Sequence, residues 1–144
     1  MSGFLVDTNV ISEPARSKPN PGVVAWLAKA EEESIFLSVL TLGEVRSGIE
    51  RVVDSARRTS LERFFFRLRD RFGSRILPID AAVAERWGRM IGGLASSGES
   101  IPAIDSLIAA TALHHDLTVV THNTGDFARA GIPVIDPFAV GHKP

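Results

Sequence analysis

Cysteine is absent from all 144 residues, which removes disulfides, thiolate metal ligands and thiol nucleophiles together and suits a reducing cytoplasm. A strong net charge is missing too: the formal balance is -1, so no global basic field gathers nucleic acid, which would have to be held locally or through metal ions. Residues 1–7 show no basic start followed by a long apolar stretch, and no apolar run approaches the roughly 20 residues of a membrane helix. No membrane association is expected. Repeats, low-complexity segments and linkers are absent as well. With 44% hydrophobic residues, the chain suits one domain with a real core, expected over residues 1–140, with residues 141–144 as a flexible tail.

Short apolar runs stand out against this background. Phe4, Leu5 and Val6 end at Asp7; similar runs cover residues 35–40, 76–79 and 117–121, and a weaker one covers residues 133–135. None alternates polar with apolar, the pattern of parallel strands covered on both faces by helices. Between them lie helical patterns. Asn20-Pro21 offers an N-cap and an N1 proline, Asp80 can cap the segment carrying Val83, Trp87 and Ile91, and Gly73 is placed to end a helix over residues 55–72. Residues 103–115 form a nearly all-apolar helix. Strands alternating with helices and joined by right-handed crossovers predict a three-layer α/β/α sandwich around a mostly parallel five-stranded sheet of order 3-2-1-4-5. Its switch point lies between strands one and four, where ligands bind at the carboxyl edge.

Four acids fall at that edge: Asp7 ending strand one, Glu44 in the first turn after strand two, Asp105 opening the helix that leads into strand four, and Asp126 after strand four. Each has a plain structural alternative. Asp7 could cap the following turn, Thr41-Leu42-Gly43-Glu44 fits a capping box, and Asp105 could complement a helix dipole. Convergence favours a centre for Mg²⁺ or Mn²⁺, hard ions that take oxygen ligands, because clustered carboxylates resist ionising together unless a cation answers them. Such an ion activates water for attack on a phosphodiester. Thr8, Asn9, Thr121 and Asn123 flank the four and could orient ligands or waters, or serve turns and caps. Asp80 and Asp136, each two strands from strand one and so about 10 Å away, are too far to share an ion with Asp7.

Other polar groups carry less. His114, His115 and His122 form no i, i+4 pair of zinc ligands, and Ser106 lacks a triad or a strand-turn-helix elbow. The arginines between Arg57 and Arg75, interspersed with Glu62 and Asp70, suit a solvated face better than an RNA track. Phe64, Phe65 and Phe66 are consecutive, more apolar surface than one helix face hides, so at least one is expected to meet a partner.

Phe4-Leu5-Val6-Asp7-Thr8-Asn9, the stretch from Ser38 through Glu44, Ile104-Asp105 on an apolar helix, and Val120-Thr121-His122-Asn123-Thr124-Gly125-Asp126-Phe127 occur in that order. Together they resemble the PIN-domain proteins of the VapC toxin family, close to its FitB-like branch, over residues 4–138. The resemblance implies a Mg²⁺- or Mn²⁺-dependent ribonuclease, homodimeric, the toxin of a type II toxin-antitoxin pair. Its partner would be a small VapB-like antitoxin whose carboxyl-terminal segment fills the active-site groove and whose other end binds operator DNA. Asp7, Glu44, Asp105 and Asp126 match the family's acidic quartet. Many relatives carry a further acid where this chain has Asn123, which leaves a second metal position open. Two other classes compete: a catalytically silent PIN-like binding module, and an aspartyl phosphatase or phospho-receiver opened by Asp7-Thr8-Asn9. The phosphatase usually has an acid two residues after its nucleophile, where Asn9 stands, and no matching lysine follows a later strand.

Overall fold

The computed structural model describes residues 3–140; the tail expected from Gly141 lies outside the described residues. Five strands, β1 (Gly3–Val6), β2 (Ile35–Ser38), β3 (Ile76–Leu77), β4 (Leu117–Val120) and β5 (Val134–Ile135), pair in parallel in the order β3-β2-β1-β4-β5. This is the expected topology.

The lack of alternation has its reason in the core. Side chains on successive strand positions point to opposite faces, and both faces are covered. Val6 and Val120 pack with Ile35 and Leu37 against Val23 of α2 (Pro21–Lys29), Val45 and Ile49 of α3 (Val39–Glu50), and Leu68 and Phe72 of α4 (Ser55–Phe72). Their strand neighbours Leu5 and Val119 join Ile108, Ala109 and Ala112 of α6 (Ala103–His115) and Phe127 of α7 (Thr124–Arg129) on the other face. Outside α6 lies α5 (Ala81–Ser96), tied to it by Trp87 Nε1 donating to Ser106 Oγ at 2.8 Å. Ser106 thus has a structural bond, in keeping with the absence of a triad.

The helix ends follow local chemistry. Asn20 Oδ1 accepts the Gly22 and Val23 N–H groups ahead of α2, and Asp80 Oδ1 accepts from Val83 N at the start of α5. Gly73, at φ 47°, donates to Arg69 O and closes α4. Four strands are shorter than expected, β4 and β5 by one residue each and β2 and β3 by two. Pro78 has no N–H to extend β3 along β2, and β2 stops at Ser38, whose Oγ accepts from Leu40 N at 3.0 Å and starts α3 at Val39. Among the described residues no helix is long and apolar enough to cross a membrane.

Candidate active site

All five strands run the same way, so their carboxyl ends line one edge of the sheet. From β1 the connections go to one side and from β4 to the other, which opens a crevice between these two neighbours. Val6 stands opposite Val120, and Asp7 N donates to Val120 O at 2.9 Å. Asp7 therefore leaves the sheet with its backbone locked to β4.

The Asp7 side chain is only 5% exposed. Its Oδ1 accepts from Thr8 N at 2.9 Å and caps the single-turn helix α1 (Thr8–Ile11), while Oδ2 accepts from Thr121 Oγ1 at 2.8 Å and Asn9 Nδ2 at 3.3 Å. Capping is thus real but occupies one oxygen of two. Burial pushes the carboxyl above its usual range, against the three hydrogen bonds that favour the ionised form. Asn9 also spans the crevice, with Nδ2 3.3 Å from Thr121 Oγ1 and Oδ1 accepting from His122 N at 3.0 Å.

Glu44 is displaced from its expected position. Because α3 begins at Val39 with Ser38 as its cap, Glu44 falls in the second turn, and the capping box from Thr41 does not form. The Thr41 side chain is fully buried and its hydroxyl has no hydrogen-bond partner among the described residues. Glu44 instead reaches α1, where its Oε1 accepts from Thr8 Oγ1 at 2.5 Å.

Asp105, in the first turn of α6, is half-buried. Its Oδ2 accepts from Asn123 Nδ2 at 2.9 Å. Its carboxyl is pushed up to about 7, first by burial, then by its hydrogen bond with Asp126 and by the negative charges of Asp7, Asp126 and Glu44. All three partner acids act on this one group. Asp126, in the first turn of α7, accepts from Asn123 Nδ2 at 3.0 Å and from the Arg129 guanidinium. Its carboxyl is held below the usual range, led by the Asn123 bond, with Arg129 contributing and burial opposing.

The four carboxylates are neighbours in an electrostatic sense without forming a closed cage. Among the described residues no three His, Asp or Glu side chains gather tightly enough to hold an ion as they stand; Glu44 is engaged by Thr8 and Asp126 by Arg129. All four flanking residues touch the quartet or join its members. Arg129 was not anticipated; the i, i+3 spacing from Asp126 on one helix was the available signal. Nor was the His122–Asp136 pair, with Nδ1 3.2 Å from Oδ2. Asp136 also accepts from Phe138 N, so it and Asp80 have local partners of their own. His114 and His115 pack edge to face, 4.9 Å between ring centres.

An acidic crevice at the switch point of a parallel 3-2-1-4-5 sheet defines a class, and the family model described as PIN domain matches residues 4–133. The chain is 41% identical to Toxin FitB of Neisseria gonorrhoeae, over 94% of this chain and 98% of that protein. It is 33% identical to VapC ribonuclease Y4jK of Sinorhizobium fredii, over 94% of this chain and 97% of the relative. A solved structure of FitAB bound to an IR36 DNA fragment superposes with a TM-score of 0.89 at 38% identity, covering 94% of this chain and 95% of the other. The protein belongs to the PIN-domain VapC toxin family, on its FitB-like branch.

Proposed function

We infer that this protein is a divalent-metal-dependent endoribonuclease and the toxin of a toxin-antitoxin pair, with Asp7, Glu44, Asp105 and Asp126 as its acidic centre. The observation that carries the inference is the field at Asp105, where three other carboxylates and burial hold a carboxyl at about 7. The donors are oxygens throughout, the ligand set of Mg²⁺ or Mn²⁺, and concentrated negative charge on a half-buried edge is what such an ion neutralises. Asp7 and Asp105, with Glu44 reaching over from α3, are the residues that would hold it. When bound, the ion makes a water nucleophilic and steadies the developing charge on phosphate.

The chain's own part is positional. Thr121 and Asn9 fix Asp7, Thr8 fixes Glu44, and Asn123 fixes Asp105. As a ligand Asp105 would have to be ionised, which a bound cation would favour. Asp7 is poorly placed as a phosphate acceptor, since it is buried and both its oxygens already accept hydrogen bonds.

The partners are proposed on the same footing. The relative named a VapC ribonuclease supports RNA as substrate, and the FitAB–DNA structure supports an antitoxin that carries the complex to operator DNA. The antitoxin's carboxyl-terminal segment is assigned to the acidic crevice itself; a groove of about 240 Å³ between α3, α4 and the turn after α1, lined by Val45, Ile49, Leu61 and Phe64 with Arg16 and Arg57, shares α3 with that crevice. Phe64 and Phe65 are partly buried against the core, whereas Phe66 is 45% exposed, and this α4 face is assigned to a partner, with a homodimer expected in solution. The test is cleavage of single-stranded RNA by the protein freed of any partner, in Mg²⁺ or Mn²⁺ and again in chelator. Asp105→Asn should lower the rate by at least about 10²-fold. Near-normal cleavage by that variant would sink the assignment.

A further inference from the structure

The His122 side chain is 63% exposed, yet it is held at three points. Its Nδ1 lies 3.3 and 3.2 Å from the two oxygens of Asp136. Its ring lies against that of Phe138 on α8 (Pro137–Val140), 4.5 Å between centres and tilted by 44°. Its backbone N–H donates to Asn9 Oδ1 at 3.0 Å. Asp136 is fixed in turn, because its Oδ1 accepts from Phe138 N at 2.9 Å. A solvent-exposed contact between an imidazole and a carboxylate adds little to stability, so the loss of rotamer freedom in this ring is better explained by preorganisation for a ligand. The ligand is indicated by the position. His122 stands between Thr121, which bonds to Asp7, and Asn123, which bonds to Asp105 and Asp126, and its imidazole extends the rim of the acidic crevice towards the end of β5.

We propose that His122, backed by Phe138 and oriented by Asp136, is a base-stacking residue for single-stranded RNA that holds the base of a nucleotide flanking the scissile phosphate. This rests on the inference that the protein cleaves RNA. Unpaired bases stack on aromatic and histidine rings whatever their sequence. Stacking also suits a chain whose net charge is -1 and whose Arg129 is already engaged by Asp126, because it holds a strand without drawing on its phosphates. Asp136 answers the charge of the imidazole whenever the ring is protonated, so the ring face, and not a cationic edge, is what His122 offers to RNA.

Binding reads this without cleavage. The full chain carrying Asp105→Asn, which should leave the strand whole, is titrated in Mg²⁺ against a fluorescent single-stranded oligoribonucleotide and against a strand of the same length built from abasic units. Adding His122→Ala should weaken binding of the RNA by at least about fivefold and leave binding of the abasic strand within about twofold. His122→Phe, which keeps a ring, should bind the RNA within about twofold of the starting chain. Equal losses in the alanine and phenylalanine variants would make the imidazole a charged or hydrogen-bonding contact and overturn the proposal, as would a loss of the same size on the abasic strand. Should His122→Ala fail to fold, His122→Gln removes the ring and reads the same loss. Unchanged RNA binding in the ringless variant, with RNA cleavage by the parent chain intact, refutes the stacking residue alone. Ring-dependent binding by a parent chain that cuts no RNA supports the stacking residue and refutes the nuclease reading instead. No binding of RNA by the starting chain overturns the proposal.

Discussion

The two edges of this sheet treat charge in opposite ways. At the carboxyl edge, acids from four separate segments face a common crevice, and Asp105 is pushed up to about 7. At the amino edge, just ahead of β2, Glu32 is clasped by arginines from the end of α4 and the turn before β3. Arg71 Nε and Nη2 each lie 2.8 Å from one of its oxygens, and Arg75 Nη2 lies 2.7 Å away. That carboxyl is lowered to about 2, led by the Arg71 hydrogen bonds. Arg75 further donates to the carbonyls of Glu32 and Ile35 at 2.7 Å each, and both guanidiniums lie over the Phe72 ring. Paired opposite charge locks the chain, whereas gathered like charge costs stability until a cation arrives. The contrast separates the part of the sheet built to hold from the part built to bind.

Exchanging one carboxylate for an amide at each edge gives the widest separation. Asp105→Asn should cut RNA cleavage by at least about 10²-fold yet melt no lower than the parent in chelator, because a repelling charge has gone. Glu32→Gln should cleave within about twofold of the parent and lose about 1 kcal/mol, a modest figure because the pair is solvent-screened. Cleavage and chelator melts on both proteins test this, and a reversed pattern would break the contrast.

Metal should sharpen it. At about 100-fold above its dissociation constant, Mn²⁺ should stabilise the fold by roughly 2.7 kcal/mol, a gain that Glu32→Gln keeps and that Asp105→Asn and Glu44→Gln largely lose. Since Glu44 lies beyond the cap of α3, Glu44→Gln should leave the helix intact by circular dichroism. Full Mn²⁺ shifts in both carboxyl-edge variants would make these acids structural.

A smaller effect is expected from Arg75→Ala. Losing its carbonyl bonds and its clasp on Glu32 should cost about 1–2 kcal/mol in denaturant titration, with the Mn²⁺ gain unchanged. The smallest effect is in the pH dependence. Asp105, raised from 3.8 to about 7, holds its proton in the folded state after the unfolded chain has lost it. Its contribution in chelator is full below about 4 and is lost as pH rises towards 7. Glu32, lowered from 4.5 to about 2, contributes fully above about 4.5 and loses that as pH falls towards 2. Between pH 5 and 7 the melting temperature in chelator should therefore fall with rising pH, and Asp105→Asn should flatten that slope.

The sheet order was legible because its strands are short apolar runs without alternation, a pattern that only two covered faces explain. Helix ends at Asn20, Asp80 and Gly73 were legible from their own chemistry. The end of β2 was not: Ile35 to Leu40 is apolar apart from Ser38, and an apolar run does not by itself tell a buried strand from the first turn of a buried helix. Placing the helix start too late put Glu44 in the wrong turn. Asp7 and Asp105 could be marked as acids at the edge, but the bonds among the site residues could not. Thr8 reaching Glu44, and one amide serving two acids, depend on rotamers and on segments more than a hundred residues apart for Asp7 and Thr121.

β1 is the first strand of the described chain and the central strand of the finished sheet. A polypeptide still emerging from the ribosome thus contains Asp7 and Glu44 long before it contains β4, whose synthesis brings Thr121, Asn123 and Asp126 close behind. Until then Asp7 has neither the Val120 carbonyl nor the Thr121 hydroxyl to hold it, and β1 has an open side. Long-range pairing of this kind closes late. The acidic crevice is therefore completed only by the last third of the chain, once β4 has paired with β1.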